Sequence, residues 1–243
     1  MHYIDYCKNL GMHQGPPPAA DNLYHGLNRI GMNRRTVLLD IEQMPVRVSK
    51  LGDAVQRCLD ILVSCFGILV GAIPSLVIAI AIKIDSPGPV FYAQKRVGKK
   101  GKVFQMIKFR TMCENAESGT GPVWALKEDP RVTRVGTVLR KLRLDEVPQL
   151  FNILKGDMTL VGPRPERPEL VYQFTQYMPA FDRRHDVKPG IAGIAQMMNG
   201  YDSSSQSVYR KLRWDSLYIR KRCLTVDFCV LYRTILAVLK GKV

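Results

Sequence analysis

Histidine is scarce in this chain, with four scattered over 243 residues, and none of the six cysteines stands in a CxxC pair or beside a histidine at metal-ligand spacing. No Cys/His metal cluster is therefore visible, and Cys7, Cys58, Cys65, Cys113, Cys223 and Cys229 read as reduced, mostly buried thiols of a cytosol-facing protein. Acids are also in short supply: 21 Asp+Glu stand against 36 Lys+Arg, a formal net charge of +15. Such an excess calls for an anionic partner, and nucleic acid, an anionic bilayer surface and phosphorylated substrates are the usual candidates. The N-terminus, MHYIDYCKNLGMHQGPPPAADN, lacks the basic start, apolar centre and small-residue cleavage site of a signal peptide. Its PPPAADN segment is expected to be extended or disordered, and residues 1–48 read as a weakly specified extension.

One uncharged run dominates what is present: ILVSCFGILVGAIPSLVIAIAI, residues 61–82. As a helix at ~1.5 Å per residue it reaches about 33 Å, enough to cross a bilayer core. Pro74 lies inside it and removes a backbone donor, so a kink or break is expected there. Both flanks are basic, with Arg47, Lys50 and Arg57 before the run and Lys83, Lys95 and Arg96 after it. A spanning helix concentrates basic residues on its cytoplasmic side only. On these residues three readings stay open: a spanning helix, a re-entrant helix that bends at Pro74 and returns to the same face, and a buried core helix. The organisation is then an extension over 1–48, the apolar helix over 49–84 and one mixed α+β domain over 85–243.

Within that domain, VFYAQKRVGKKGKVFQMIKFRTM (90–112) reads as two strands around a Gly-Lys-Lys-Gly turn. Lys108 and Arg110 near its end are candidate phosphate ligands, against the alternative of a solvated strand face. Residues 113–130 read as a polar loop anchored by Trp124, and 131–144 as helical in their later part. The stretch 208–240 carries two amphipathic helical patterns, and VDFCVLYRTILAVLKGK fits either a bilayer surface or a core helix.

LDEVPQLFNILKGDMTLVGPRP, residues 144–165, holds adjacent acids in a basic neighbourhood of Arg140, Lys141, Arg143 and Arg164. Val147, Leu150, Phe151 and Leu154 follow helical spacing and predict a buried stripe, and Gly156 ends the helix. Pro148 is tolerated in a first turn, which puts the helix start near Asp145 as N-cap with Glu146 following. Plain capping is the ordinary role for such acids. A helix start, however, also attracts phosphate, and the following MTLVGPRPERPE displays Arg164 and Arg167 rigidly, arginine being the side chain that grips phosphate with two donors. KPGIAGIAQMMNG (188–200) adds a second Gly-rich turn with Lys188, Gln196 and Asn199.

Together, DSPGPVFYAQKRVGKKGKVFQMIKFRTM, RKLRLDEVPQLFNILKGDMTLVGPRPE, KPGIAGIAQ and WDSLYIRKRCLTVDF resemble the bacterial sugar transferases, the monotopic phosphoglycosyl transferases that use polyprenol phosphate. The resemblance covers roughly residues 54–243 and is to the minimal form, with an N-terminal extension. It implies transfer of a sugar-1-phosphate from a UDP-sugar to undecaprenyl phosphate with release of UMP. It further implies a Mg²⁺-dependent ping-pong reaction, the first membrane step of a surface glycoconjugate pathway. Asp145 matches the family's nucleophile, and Glu146 the glutamate placed near the metal. Arg140 and Arg164 match phosphate-contacting arginines. Lys108, Arg110, Glu166 and Gln196, in the same motifs, are the further candidate substrate- and phosphate-binding residues, and Asp145 with Glu146 the candidate metal ligands. Pro74 matches the proline that breaks the family's re-entrant helix, which implies a catalytic domain on the cytoplasmic face of the bacterial inner membrane. Adjacent carboxylates on a helix point about 100° apart, which suits one attacking while the other holds a cation. The chain departs from the pattern at Ile73 before Pro74, at Ile194 where an aromatic is usual, and at Met197-Met198. Sugar choice is expected to reside in 113–130 and 188–201.

Two rivals compete. A basic nucleic-acid binder predicts aromatics interleaved among the lysines and no uncharged run like 61–82, so no nucleic acid is expected. A non-catalytic membrane scaffold of the same fold is disfavoured by the intact Asp145–Glu146 pair.

Overall fold

The structure, a computed structural model, describes residues 1–12, 49–114, 116, 129–199 and 205–240. Most of the expected 113–130 loop with Trp124, most of the 1–48 extension and the end of the 188–201 turn lie outside the described residues.

The mixed helix-and-sheet expectation holds. In chain order the elements are α1 (Tyr3–Asn9), α2 (Lys50–Asp85), β1 (Phe91–Val97), β2 (Val103–Phe109), α3 (Arg134–Lys141), α4 (Gln149–Lys155), β3 (Thr159–Val161), α5 (Pro168–Tyr177), β4 (Gly190–Ala192), α6 (Ile194–Asn199), α7 (Ser205–Lys221) and α8 (Leu224–Leu239). Single 3-10 segments at Lys99–Gly101, Leu144–Glu146 and Pro179–Asp186 connect them. β1 and β2 form the expected antiparallel hairpin, in register from Phe91 opposite Phe109 to Val97 opposite Val103. β3 and β4 pair in parallel, and Gly162 and Gly190 let that crossing close: a Cβ on Gly190 would meet the Gly162 nitrogen at 2.1 Å.

α2 is the one helix among the described residues long and apolar enough to cross a membrane. Ser49 caps it by accepting from Gly52 N at 3.2 Å. The helix continues through Pro74 without interruption, so the break expected there is not seen. Proline deletes only one of the helix's backbone donors, and the turns on both sides hold. Most of its surface is bare, with Leu69 and Ile73 each 77% and Ile84 81% exposed. The side that is covered lies against the rest of the described chain at both ends and in the middle. Arg57 donates to the carbonyls of Ile153 at 2.6 Å and Leu154 at 2.7 Å, and Asp60 accepts from the Thr159 hydroxyl and Leu160 N, both at 2.9 Å. In mid-helix, Gly67 and Gly71 admit Leu150 and Val147, and a Cβ on Gly67 would sit 2.9 Å from Leu150 Cδ1. Small residues four apart are the usual means of such close approach. At the far end, Ile82 is buried with Phe109 and Leu139, and Asp85 accepts from Val135 N at 3.0 Å.

Three sequence expectations are corrected. α4 begins at Gln149, not at Asp145: the two acids occupy the preceding 3-10 turn, and Pro148 rather than Asp145 is the N-cap. The predicted stripe holds only in part: Val147 and Leu150 pack against buried clusters, but Phe151 does not. Phe151 is 53% exposed, while Gln149, Asn152 and Ile153 are buried. Val147 and Leu150 face α2, and Asn152 reaches the hairpin, donating to Gln105 O at 2.6 Å and accepting from Ile107 N at 3.0 Å. Finally, all six cysteines are free, but only Cys7 is buried. Cys58, Cys65 and Cys229 lie on α2 and α8, whose apolar surface the domain does not cover.

α1 was not legible as structure, yet it completes the main core. Tyr3 and Cys7 are buried among Val171, Phe181, Val208 and Leu212, and the Tyr3 hydroxyl donates to Asp182 at 3.1 Å.

Candidate active site

The hairpin and the turn before α4 bring the two acids to Lys108. Arg143 adopts a left-handed conformation, φ 57°, which a non-glycine side chain visits at some cost. It ends α3 sharply and turns its own guanidinium back on Glu146 three residues later. The loop after β3 delivers Arg164 from the other side. Glu146 Oε1 thereby gathers Arg164 at 2.8 Å, Arg143 at 3.3 Å and Lys108 at 3.4 Å. Among the described residues Asp145 has Lys108 alone, at 4.0 Å from Oδ2, and its Oδ1 is buried without a hydrogen-bond partner.

The electrostatics separate the neighbours. Burial would raise the Glu146 carboxyl, but Arg164, Lys108 and Arg143 outweigh it and hold the group well below the usual carboxylate range. Burial raises Asp145, Lys108 and Arg164 oppose that, and the adjacent Glu146 adds to it, leaving the net shift upward. Burial pushes the Lys108 ammonium down to about 8, with Glu146 resisting and Arg164 assisting. An orphaned, partly desolvated carboxylate oxygen near Lys108, next to a carboxylate that gathers three cations, is arranged to meet an electrophile that carries negative charge.

A divalent cation finds limited protein ligation here. Among the described residues no three His, Cys, Asp or Glu side chains converge. Mg²⁺ commonly uses one or two carboxylates and takes its remaining ligands from water and substrate phosphates. The orphaned Oδ1 of Asp145 suits that role, whereas Glu146 Oε1 is already crowded by cations.

The other sequence candidates lie elsewhere. Arg110 shares a strand face with Lys108 by spacing, but β2 ends at Phe109, and Arg110 instead clamps the turn after α2. It donates to Pro87 O, to Ser86 O at 2.7 Å and to Ser86 Oγ at 3.0 Å. Arg140 points from α3 to the Thr111 hydroxyl at 2.9 Å and pairs with neither acid. Gln196 donates to Ile191 O at 3.0 Å, bracing its own turn. Glu166 is held by Lys211 at 2.5 Å and lies 3.7 Å from Arg96; burial opposes these charges, but Lys211, Arg184 and Arg96 bring its carboxyl down to about 2.

Those contacts belong to a buried support for Arg164, which the sequence reading missed. Arg184 donates to Arg164 O at 2.7 Å and, through Nε, to Asp215 at 2.7 Å; Arg96 donates to Pro165 O at 3.0 Å. The backbone on both sides of the Arg164–Pro165 bond is thus fixed by arginines. Arg143, the third cation on Glu146, was visible as an i, i+3 partner.

The chain resembles proteins with known names. Residues 51–241 match the model of a family described as "Bacterial sugar transferase". Over 187 residues the chain is 44% identical to the UDP-N-acetylgalactosamine-undecaprenyl-phosphate N-acetylgalactosaminephosphotransferase of Aeromonas hydrophila, which covers 77% of this chain and 44% of that protein. It is 40% identical over 170 residues to the UDP-glucose:undecaprenyl-phosphate glucose-1-phosphate transferase of Xanthomonas campestris pv. campestris, covering 69% of this chain and 35% of that one. It is 34% identical over 195 residues to the exopolysaccharide production protein PSS of Rhizobium leguminosarum bv. phaseoli, covering 77% and 96%. The chain thus spans less than half the length of the Aeromonas and Xanthomonas relatives. With a family match over most of its length and the acid pair set among cations, the chain belongs to the bacterial sugar transferase family.

Proposed function

We propose that this protein transfers a sugar-1-phosphate from a UDP-sugar to undecaprenyl or another polyprenol phosphate, at the cytoplasmic face of the bacterial inner membrane. The observation that carries the reading is the contrast at 145–146: a buried carboxylate oxygen without a partner beside a carboxylate that holds three cations in place. The names of the relatives above support the substrate classes.

In the first step Asp145 attacks the sugar-side phosphorus of the UDP-sugar. The bond from that phosphorus to the bridging oxygen breaks, and UMP leaves with the electron pair. In the second step a phosphate oxygen of the lipid attacks the same phosphorus and releases the Asp145 carboxylate, giving the polyprenyl-diphospho-sugar. Arg164 and Lys108 offset the repulsion between an anionic nucleophile and a diphosphate, and Glu146 keeps both cations oriented. Asp145 would offer Mg²⁺ an oxygen beside the substrate phosphates, with Glu146, already engaged by cations, next to it; the ion would supply further charge neutralisation.

A re-entrant course for α2 fits its contacts better than a spanning one. The residues just before the uncharged run, Arg57 and Asp60, and those at its end, Ile82 and Asp85, all grip the same domain. A straight spanning helix would put those two sets on opposite sides of the bilayer. With both ends on one side, the bare surface of α2 and the stripe Phe228, Tyr232, Ile235 and Leu239 on α8 become the lipid-facing surface.

The test is UMP release from a panel of UDP-sugars, with and without undecaprenyl phosphate, in Mg²⁺ and in EDTA. Turnover that needs the lipid, Mg²⁺ and Asp145 supports the reading and names the sugar. No turnover from a folded, membrane-embedded protein favours the scaffold.

A further inference from the structure

A cavity of about 160 Å³ opens by the C-terminal end of α4, away from the acids. Its lining includes Arg57, Lys99, Lys188 and Arg222 against Asp53 and Asp60, an excess of positive charge. Several of these groups are already engaged. Arg57 caps the last carbonyls of α4, Arg222 pairs with Asp53 and donates to Gln56 at 2.9 Å, and Asp60 Oδ1 accepts from Thr159 and Leu160. The Lys188 and Lys99 ammonium groups have neither a hydrogen bond nor an ion pair among the described residues. Lys188 Nζ and Arg57 Nη2 converge, each 3.6 Å from where a Cβ on Gly156 would stand. Burial and the neighbouring Arg57 lower the Lys188 pKa, the direction expected of a cation without a full counter-charge.

A second hollow adjoins this one and shares Gln56, Asp60 and Val161 with it. Its remaining wall is mostly apolar, made by Leu59 and Val63 of α2, Leu160, and Leu224, Phe228 and Leu231 of α8; the one further acid, Asp227, is engaged by Gln56 at 3.0 Å and Tyr218 at 2.9 Å. A cationic cup that continues into an apolar slot, beside the surface assigned to lipid, matches one chemistry: a phosphate bearing a hydrocarbon tail.

We infer that the cavity between the N-terminal turns of α2 and the Lys188 turn binds the phosphate of an amphipathic lipid, with the tail along the α2–α8 slot. Arg57 marks the C-terminal end of α4 and the acids precede its N-terminal end, so the seven-residue helix separates the two sites by roughly 10 Å. A lipid phosphate held there does not touch Asp145. Two sources share this chemistry, a bilayer phospholipid and a polyprenyl phosphate. The site stands independently of the transfer reaction, because its test reads binding.

The experiment is native mass spectrometry of the full chain in detergent, titrated with phosphatidylglycerol, farnesyl phosphate, farnesol and inorganic phosphate. One saturable adduct per chain is expected with the lipid phosphates, and farnesol should bind far more weakly. Lys188→Ala should weaken that adduct about tenfold, as loss of a charge-assisted contact does. Lys99→Ala, at the exposed hairpin tip where folding is not at stake, should weaken it severalfold, while Asp145→Asn should leave it intact. Preference for phosphatidylglycerol would identify a bilayer lipid, and preference for farnesyl phosphate a polyprenyl ligand; both outcomes uphold the site. Equal binding of farnesol, inorganic phosphate binding as tightly as the lipids, or adducts unchanged in both lysine variants would overturn it. So would an adduct lost in Asp145→Asn, which would put the lipid at the catalytic acids.

Discussion

Asp145 and Glu146 are neighbours in the chain with opposite surroundings: Glu146 Oε1 takes Arg164 at 2.8 Å, while Asp145 Oδ1 is buried with no hydrogen-bond partner among the described residues. Stability and catalysis should therefore part company at this pair. Glu146→Gln strands Arg164, Arg143 and Lys108 around a neutral group and should cost about 3 kcal/mol, as breaking a buried ion cluster does. Asp145→Asn removes a desolvated charge of little local benefit and should leave stability unchanged or slightly raised while abolishing transfer. Denaturant unfolding of both variants checks the difference in sign.

The pH profile of transfer should be bell-shaped. Attack needs Asp145 ionised, and its pKa is raised, so the rate should fall on acidification earlier than for an ordinary aspartate. Lys108 is charged below about 8 and neutral above, so the rate should fall again as pH rises through that value. Glu146, held low by its cations, should add no limb near neutrality. Lys108→Arg should carry the alkaline limb upward, which a pH series of initial UMP release reads directly.

Arg184 and Asp215 have side chains only 2% and 1% exposed and bond at 2.7 Å. Removing one partner leaves the other charged and buried, so Arg184→Ala should cost about 3–5 kcal/mol. Arg184→Met combined with Asp215→Leu should cost less than either single change. Because Arg184 also holds the Arg164 carbonyl, the folded double variant should still lose rate. Thermal unfolding and initial rates on the single and double variants separate support from catalysis.

The course of α2 is open to thiol labelling. Lys50 and Lys83 are exposed near its two ends. In a background with the six native cysteines replaced, Lys50→Cys and Lys83→Cys should both resist an impermeant reagent in intact cells and both react in inverted vesicles. Reaction of one of them in intact cells would indicate a spanning helix instead.

How much of this was legible in the sequence depended on how local each cause was. The Gly-Lys-Lys-Gly turn is local, and the hairpin came out in register; Gly156, φ 93°, ends α4 as glycines do. The acids, Lys108 and Arg164 were legible because charge and motif agree. Arg110 was not, since only the end of β2 one residue earlier turns it toward Ser86. The start of α4 was misread because Arg143 enters the left-handed region, which spacing does not reveal. The apolar stripe of α4 was legible in part: Val147 and Leu150 are packed, against α2 among others, but Phe151 stays bare. α1 stayed hidden because Tyr3 finds its partner at Asp182, far along the chain.

The most direct test of the account is to mix the protein with its UDP-sugar in the absence of any lipid acceptor, then weigh the peptide that contains Asp145. The account expects about one UMP released per chain and one sugar-phosphate added to that peptide, both lost in Asp145→Asn. Release of UMP only when polyprenol phosphate is present, with the peptide unmodified, would contradict it and make the transfer a single direct displacement.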